Sequence, residues 1–299
     1  MIKKRTDLAV EAREIWRESV GETTQLEGVE AREKESFGLK VEIVKILDEK
    51  GEQSLGKPKG TYITITLPDE HEEDAFDNAC FALSSELREL ISDSGKEQIL
   101  VVGLGNRYIT PDNLGPNTLR HTMVTRHLVE RVKEYFGNFR PVSTLEAGVL
   151  ANTGVESAEM VRALCEKVQP SAVIVIDALA SRRLSRVCTT IQVADTGIVP
   201  GSGVGNSRAE ISMNTLGVPV IAIGVPTVVD AGTLTADLME SAGMGNPDPE
   251  KFMSVGGNLI VTPRDIDEKI AELAKIIGYS INLALQENMT IQDVTAFLS

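Results

Sequence analysis

Two unbroken apolar runs, Ile99–Val102 and Ala172–Ile176, constrain this chain most. Each is too short for a buried helix and shows no polar alternation, the pattern of a strand covered on both faces. Gly103 and Gly105 follow the first run and permit a sharp turn, with Asp112 at the start of a helix-like segment beyond. Asp177 follows the second run directly. Each buried strand thus delivers a carboxylate near its C-terminal end, the edge at which sites form in open α/β sheets.

The spacing predicts further elements around these strands. A helix is expected over residues 5–19, with Thr6 as its cap and Leu8, Ala12, Ile15 and Trp16 at helical intervals. Residues 21–37 lack any period and read as loop. Leu39–Ile43 and Ile63–Leu67 alternate as half-buried strands around a turn at residues 51–60. Helices are expected over 72–92, 118–136, 156–168 and 266–285, and strands over 187–194, 218–225 and 259–261. Strand and helix alternate from residue 99 onward. The expected fold class is therefore α/β: a mostly parallel sheet with helices on both faces, phosphorylase/hydrolase-like, forming one domain of 299 residues with an N-terminal elaboration.

Several function classes lose ground here. A dinucleotide fingerprint needs a third glycine three residues after Gly105, where Tyr108 stands, and no phosphate-loop lysine follows. A formal charge of -14, from 44 acidic and 30 basic residues, repels nucleic acid. No apolar run approaches a membrane span, and the charged N-terminus shows no secretory signal. Cys80, Cys165 and Cys188 lie widely spaced in apolar surroundings, which fits a reducing cytoplasm.

If the strands before Asp112 and Asp177 are neighbours, the two carboxyls share one crevice. Acids that close cannot both ionise cheaply and divide a proton between them. The ionised partner then activates water while the protonated one donates to a carbonyl or leaving amine, which is metal-free peptide hydrolysis. Each acid also has a plain reading, Asp112 as a turn or helix cap and Asp177 as a solvated strand end. Asp195 and Asp230 adjoin turn chemistry and read as structural. His121 and His127 do not share a helix face. Gly201-Ser202-Gly203-Val204-Gly205-Asn206 offers backbone N–H groups to an oxyanion or phosphate, or is a surface turn.

Four ordered segments carry a resemblance: G-L-G-N-R-Y-I-T-P-D-N-L-G-P, V-I-V-I-D-A-L-A, D-T-G-I-V-P-G-S-G-V-G-N and I-A-I-G-V-P-T-V-V-D-A. Together they resemble the germination proteases of spore-forming bacteria, endopeptidases that degrade the small acid-soluble proteins coating spore DNA. The resemblance implies an atypical aspartic peptidase with Asp112 and Asp177 as catalytic acids. It also implies a homotetramer made first as a zymogen, located in the spore-core cytoplasm, with protein substrates and no direct nucleic-acid or membrane partner. The first segment is more distantly similar to hydrogenase-maturation proteases, whose equivalent carboxylates hold a nickel-sensing site; lacking a histidine partner, no metal or cofactor is carried over. The alternatives are such a nickel-sensing protease or a non-proteolytic nucleotide- or metabolite-binding protein.

Thr6-Asp7-Leu8-Ala9 resembles the sequence these enzymes cut: an acid, an apolar residue, then alanine. Self-cleavage between Asp7 and Leu8 would release residues 1–7 as a pro-segment. An acid before the cut calls for a basic or donor-rich pocket. Arg182, Arg183, Arg186 and Arg208 lie near the relevant segments, and Gly201, Gly203, Gly205 and Arg208 are the expected substrate-binding residues.

Overall fold

The computed structural model describes residues 6–20, 26–69, 72–91, 97–243 and 259–299. Residues 1–5 of the expected pro-segment lie outside these. One nine-stranded sheet runs through the described residues. Its strands are β1 (Val29–Ser36), β2 (Leu39–Ile46), β3 (Gly60–Thr66), β4 (Ile99–Leu104), β5 (Val142–Gly148), β6 (Ala172–Ser181), β7 (Thr190–Ala194), β8 (Val220–Asp230) and β9 (Ile260–Val261). Their order is β1-β2-β3-β7-β8-β6-β4-β5, with β9 against β8.

The α/β expectation holds. The four strands β5, β4, β6 and β8 are mutually parallel, and the N-terminal elaboration joins them antiparallel through β7 and β3. β4 and β6 are completely buried along the apolar runs noted in the sequence, which is why those runs lack polar alternation. One face of the sheet packs on Ala75–Ile91 and Ile266–Leu285, through residues such as Ile99, Ile174 and Ile223. The opposite face of the parallel half packs on Ser157–Val168 through Leu100, Val173 and Val175. Beside it, on that face of the antiparallel half, lies α1 (Ala9–Val20), which buries Ala9 and packs Ala12 and Trp16 against Val44, Ile46, Tyr62 and Ala194.

Four expectations change. Residues 29–36 form the edge strand β1 rather than loop, and its largely exposed side chains leave no apolar period to read. The turn expected at 51–60 begins as the helix α2 (Glu49–Leu55), capped by Asp48, which accepts from Lys50 N–H and Gly51 N–H. The long helix expected over 118–136 is three short ones, Leu114–Leu119, Arg126–Arg131 and Lys133–Phe136. Between them the backbone is taken by other partners: Met123 N–H donates to Asn282 Oδ1, and Thr125 N–H donates to the Val142 carbonyl. Finally, β6 runs four residues beyond Asp177, so that aspartate lies within a strand, not at its end.

Candidate active site

β4 and β6 are parallel neighbours, and their pairing stops at Gly103 opposite Ile176. Asp177 is therefore the first residue of β6 past its pairing with β4, where only β8 continues beside it. The chain leaving β4 folds back over this gap. Gly105 makes the return possible: its φ is +104°, and a Cβ there would collide with the Asp112 backbone carbonyl. Asp112 closes a single turn at Thr110–Asp112, and its Oδ2 accepts from Asn106 N–H at 2.9 Å. The turn expected of Asp112 is therefore present, with its carboxylate bracing its own loop.

Asp112 and Asp177 share one environment. Burial pushes Asp112 up to about 6, against the opposing hydrogen bond from Asn106. Asp177 is buried, and its pKa is held well above the ordinary carboxylate value, first by burial and then by the negative charges of Asp112 and Asp7. The two aspartates singled out in the sequence are thus close enough for the charge of Asp112 to act on Asp177, and a third acid, Asp7, acts on it as well.

Asp7 is held by the body of the molecule on every side. Its N–H donates to the Ala180 carbonyl at 2.9 Å. Its carboxylate accepts from Ala180 N–H at 2.9 Å and from Ser202 Oγ at 2.7 Å. A Cβ on Gly203 would run into that carboxylate, so glycine there leaves the space the acid fills. Lys57 lies near enough for the charges of Asp7 and Glu11 to oppose the burial that lowers its own pKa. The Asp7 side chain thus occupies a small donor-rich pocket built by β6 and the glycine loop.

The peptide bond after Asp7 is bracketed by Gln192. Gln192 Nε2 donates to the Asp7 carbonyl at 3.2 Å, and Gln192 Oε1 accepts from Ala9 N–H at 2.8 Å. Gln192 and Asp177 both pair in register with Gly224 of β8, so the three stand in one row across the sheet. Two strand spacings separate the amide from the acid, roughly 10 Å between backbones. The floor between them is Leu179, whose side chain covers Gly224 and packs with the fully buried Leu8.

The remaining expected residues have separate places. Gly201 and Gly205 turn the loop with φ of +73° and +74°, while Arg208 pairs with Glu156 at 3.7 Å. Arg182, Arg183 and Arg186 pair with the acids of α1. Asp195 Oδ1 accepts from Thr61 N–H, and Asp230 Oδ1 accepts from Thr233 N–H and Oγ1, both structural as expected. His121 sits beside Tyr279. Sequence reasoning missed Gln192. Its only signal was a polar side chain between Ile191 and Val193, and the structure buries it.

A family model described as germination protease matches residues 9–242. A germination protease from Clostridium perfringens is 42% identical over the full length of both chains. One from Caldanaerobacter subterraneus is 43% identical over 98% of each chain, and one from Priestia megaterium is 36% identical over 98% of this chain and 96% of its own. Among solved structures, a NiFe hydrogenase maturation protease HycI from Thermococcus kodakarensis aligns with TM-score 0.36 and 18% identity, over 66% of this chain and 98% of its own. Among the described residues, no helix is long and apolar enough to cross a membrane. The chain belongs to the germination protease family and is a peptidase, a hydrolase.

Proposed function

We propose that this protein is an endopeptidase of spore germination that cuts small acid-soluble spore proteins after an acidic residue, using Asp112, Asp177 and water. The observation that carries this reading is the placement of the bond after Asp7, whose carbonyl and side chain are both engaged beside the raised-pKa aspartate pair. Residues 1–7 are then a pro-segment, and the chain is made as a zymogen whose own N-terminus is its first substrate.

The chemistry follows from which acid keeps its proton. Asp177, buried and facing two negative neighbours, remains protonated when Asp112 has ionised. Asp112, which lies on the loop side of the gap, takes a proton from water, and the resulting hydroxyl adds to the Asp7 carbonyl carbon. Negative charge develops on the carbonyl oxygen, where Gln192 Nε2 already donates. A proton supplied by the acid pair then goes to the Leu8 nitrogen, the C–N bond breaks, and the new carboxylate and amine separate. The Ala180 N–H, Ser202 Oγ and the space at Gly203 favour a carboxylate before the cut, and the apolar surface of Leu179, Val10 and Ile198 receives the residue after it.

Intact-mass measurement tests the reading. Wild-type chain is expected to lose the mass of residues 1–7 and to digest small acid-soluble spore proteins. Asp112→Asn and Asp177→Asn are expected to retain residues 1–7 with an unchanged circular dichroism spectrum. Full processing by either variant removes that aspartate from the mechanism.

A further inference from the structure

Peptidases commonly take their substrates as extended chains, but the residues after Asp7 are not extended. The Leu8 carbonyl accepts from Ala12 N–H at 3.0 Å, closing the first turn of α1 immediately past the bond. The Leu8 N–H is itself turned inward onto Thr6 Oγ1 at 3.0 Å, and Thr6 Oγ1 donates to Glu11 Oε2 at 2.5 Å. Thr6 therefore braces the turn that leads into a helix whose first acceptor is the carbonyl of the residue after the cut.

The body of the molecule is shaped to that helix. Glu11 is fully buried, and its carboxylate accepts from Arg182 N–H at 2.6 Å and Arg183 N–H at 3.1 Å, with Arg186 Nη1 at 3.3 Å. Glu14 takes both Arg186 terminal nitrogens, at 3.0 and 2.7 Å. Glu18 takes Arg182 Nη1 at 3.0 and 2.8 Å. Residues 11, 14 and 18 lie on one face of a helix, whereas an extended chain would scatter them. Ala9, Ala12 and Trp16 form a second stripe against the sheet.

We propose that the enzyme reads the residues following a cut as the first turns of a helix, with the Arg182–Arg186 segment as docking face for an acidic stripe. The inference rests on the bond after Asp7 being a cut site. The partner it specifies is a protein segment that forms a helix beginning just past the cut, with acids at the positions that Glu11, Glu14 and Glu18 hold here. An unfolded segment would become helical as it docks.

The test uses the full chain, incubated until processing ends, and synthetic peptides spanning Lys3–Val20. Three are compared: the parent, Ala12→Pro, and Ala12→aminoisobutyrate. Proline removes the N–H that closes the first turn and sets its ring against the Leu8 carbonyl. Aminoisobutyrate adds a methyl group yet favours a helix. The expected result is a loss of about 100-fold in kcat/KM for the proline peptide, with the aminoisobutyrate peptide cut at least as fast as the parent. Equal cutting of the proline peptide overturns the inference. So does an equal loss with both, which would mean a groove intolerant of bulk. Arg186→Met is expected to raise KM for the parent peptide about ten-fold and to have no such effect when the peptide carries both Glu11→Gln and Glu14→Gln, the two acids that Arg186 holds. An effect equal for both peptides overturns the docking face. A parent peptide left whole, or cut elsewhere than after Asp7, overturns the cut-site reading itself and removes this inference with it.

Discussion

At the residue scale, the two aspartates cost the fold something that their removal should return. Raising the Asp112 pKa from 3.8 to about 6 corresponds to a penalty of about 3 kcal/mol when the carboxyl is ionised. The sign follows from proton binding. The folded protein holds this proton more tightly than the unfolded chain, so stability is highest below pH 4 on this account and falls as pH rises through about 6. Asp112→Asn keeps an oxygen for the Asn106 N–H but removes the titration. Its melting temperature is therefore expected to exceed wild type by a few degrees at pH 7, with the gain vanishing near pH 4, while processing is lost. A Tm difference independent of pH would show that the side chain acts through packing alone. The same shifts predict that kcat/KM climbs as pH rises through about 6, when the pair gives up its first proton, and declines once Asp177 ionises.

At the scale of elements, the site is where three segments meet: the loop after β4, the extension of β6 past Asp177, and the glycine loop after β7. The positions of the two aspartates announced themselves in the sequence, because a strand buried on both faces has an unmistakable apolar run and the acids follow it closely. The extension of β6 did not, since Ala178, Leu179, Ala180 and Ser181 form too short a stretch to show a strand pattern of their own; pairing with β8 makes them a strand. Gln192 and β1 were hidden for opposite reasons. Gln192 is a polar residue enclosed between apolar neighbours in a buried strand, and β1 is a strand whose side chains are mostly solvated. The glycine loop was visible only as composition, and the structure gives Gly203 its particular reason. Gly203→Ala is expected to narrow the pocket that holds the acid before the cut. Self-processing after Asp7 should slow by at least about ten-fold, and a peptide with Glu at that position should suffer more than one with Asp, because the longer side chain presses harder on the added methyl. Processing at the wild-type rate would show that the acid is recognised elsewhere.

At the scale of the whole molecule, α1 is both a piece of the fold and an occupant of the site. On the proposed reading, cutting after Asp7 would free a new N-terminus at Leu8 and leave α1 covalently attached, so the product of that reaction would remain beside the groove at high effective concentration. Any substrate reading the groove in the manner proposed must displace it. Self-processing and cutting in trans should then respond oppositely to a weakened helix. Glu14→Ala combined with Glu18→Ala removes the bonds to Arg182, Arg183 and Arg186 on the outer turns while keeping the buried Glu11. Partly exposed pairs of this kind are worth about 1 kcal/mol or less each, so a change of several-fold is expected for the set. The variant should process its own N-terminus more slowly, since the bond is less well presented. Once processed, it should bind the Lys3–Val20 peptide with a KM several-fold lower than wild type, because the competitor is looser while the arginines remain. Mass spectrometry of the conversion and steady-state kinetics on the peptide measure the two separately. A KM that rises together with slower processing would mean that α1 supports the groove instead of competing for it.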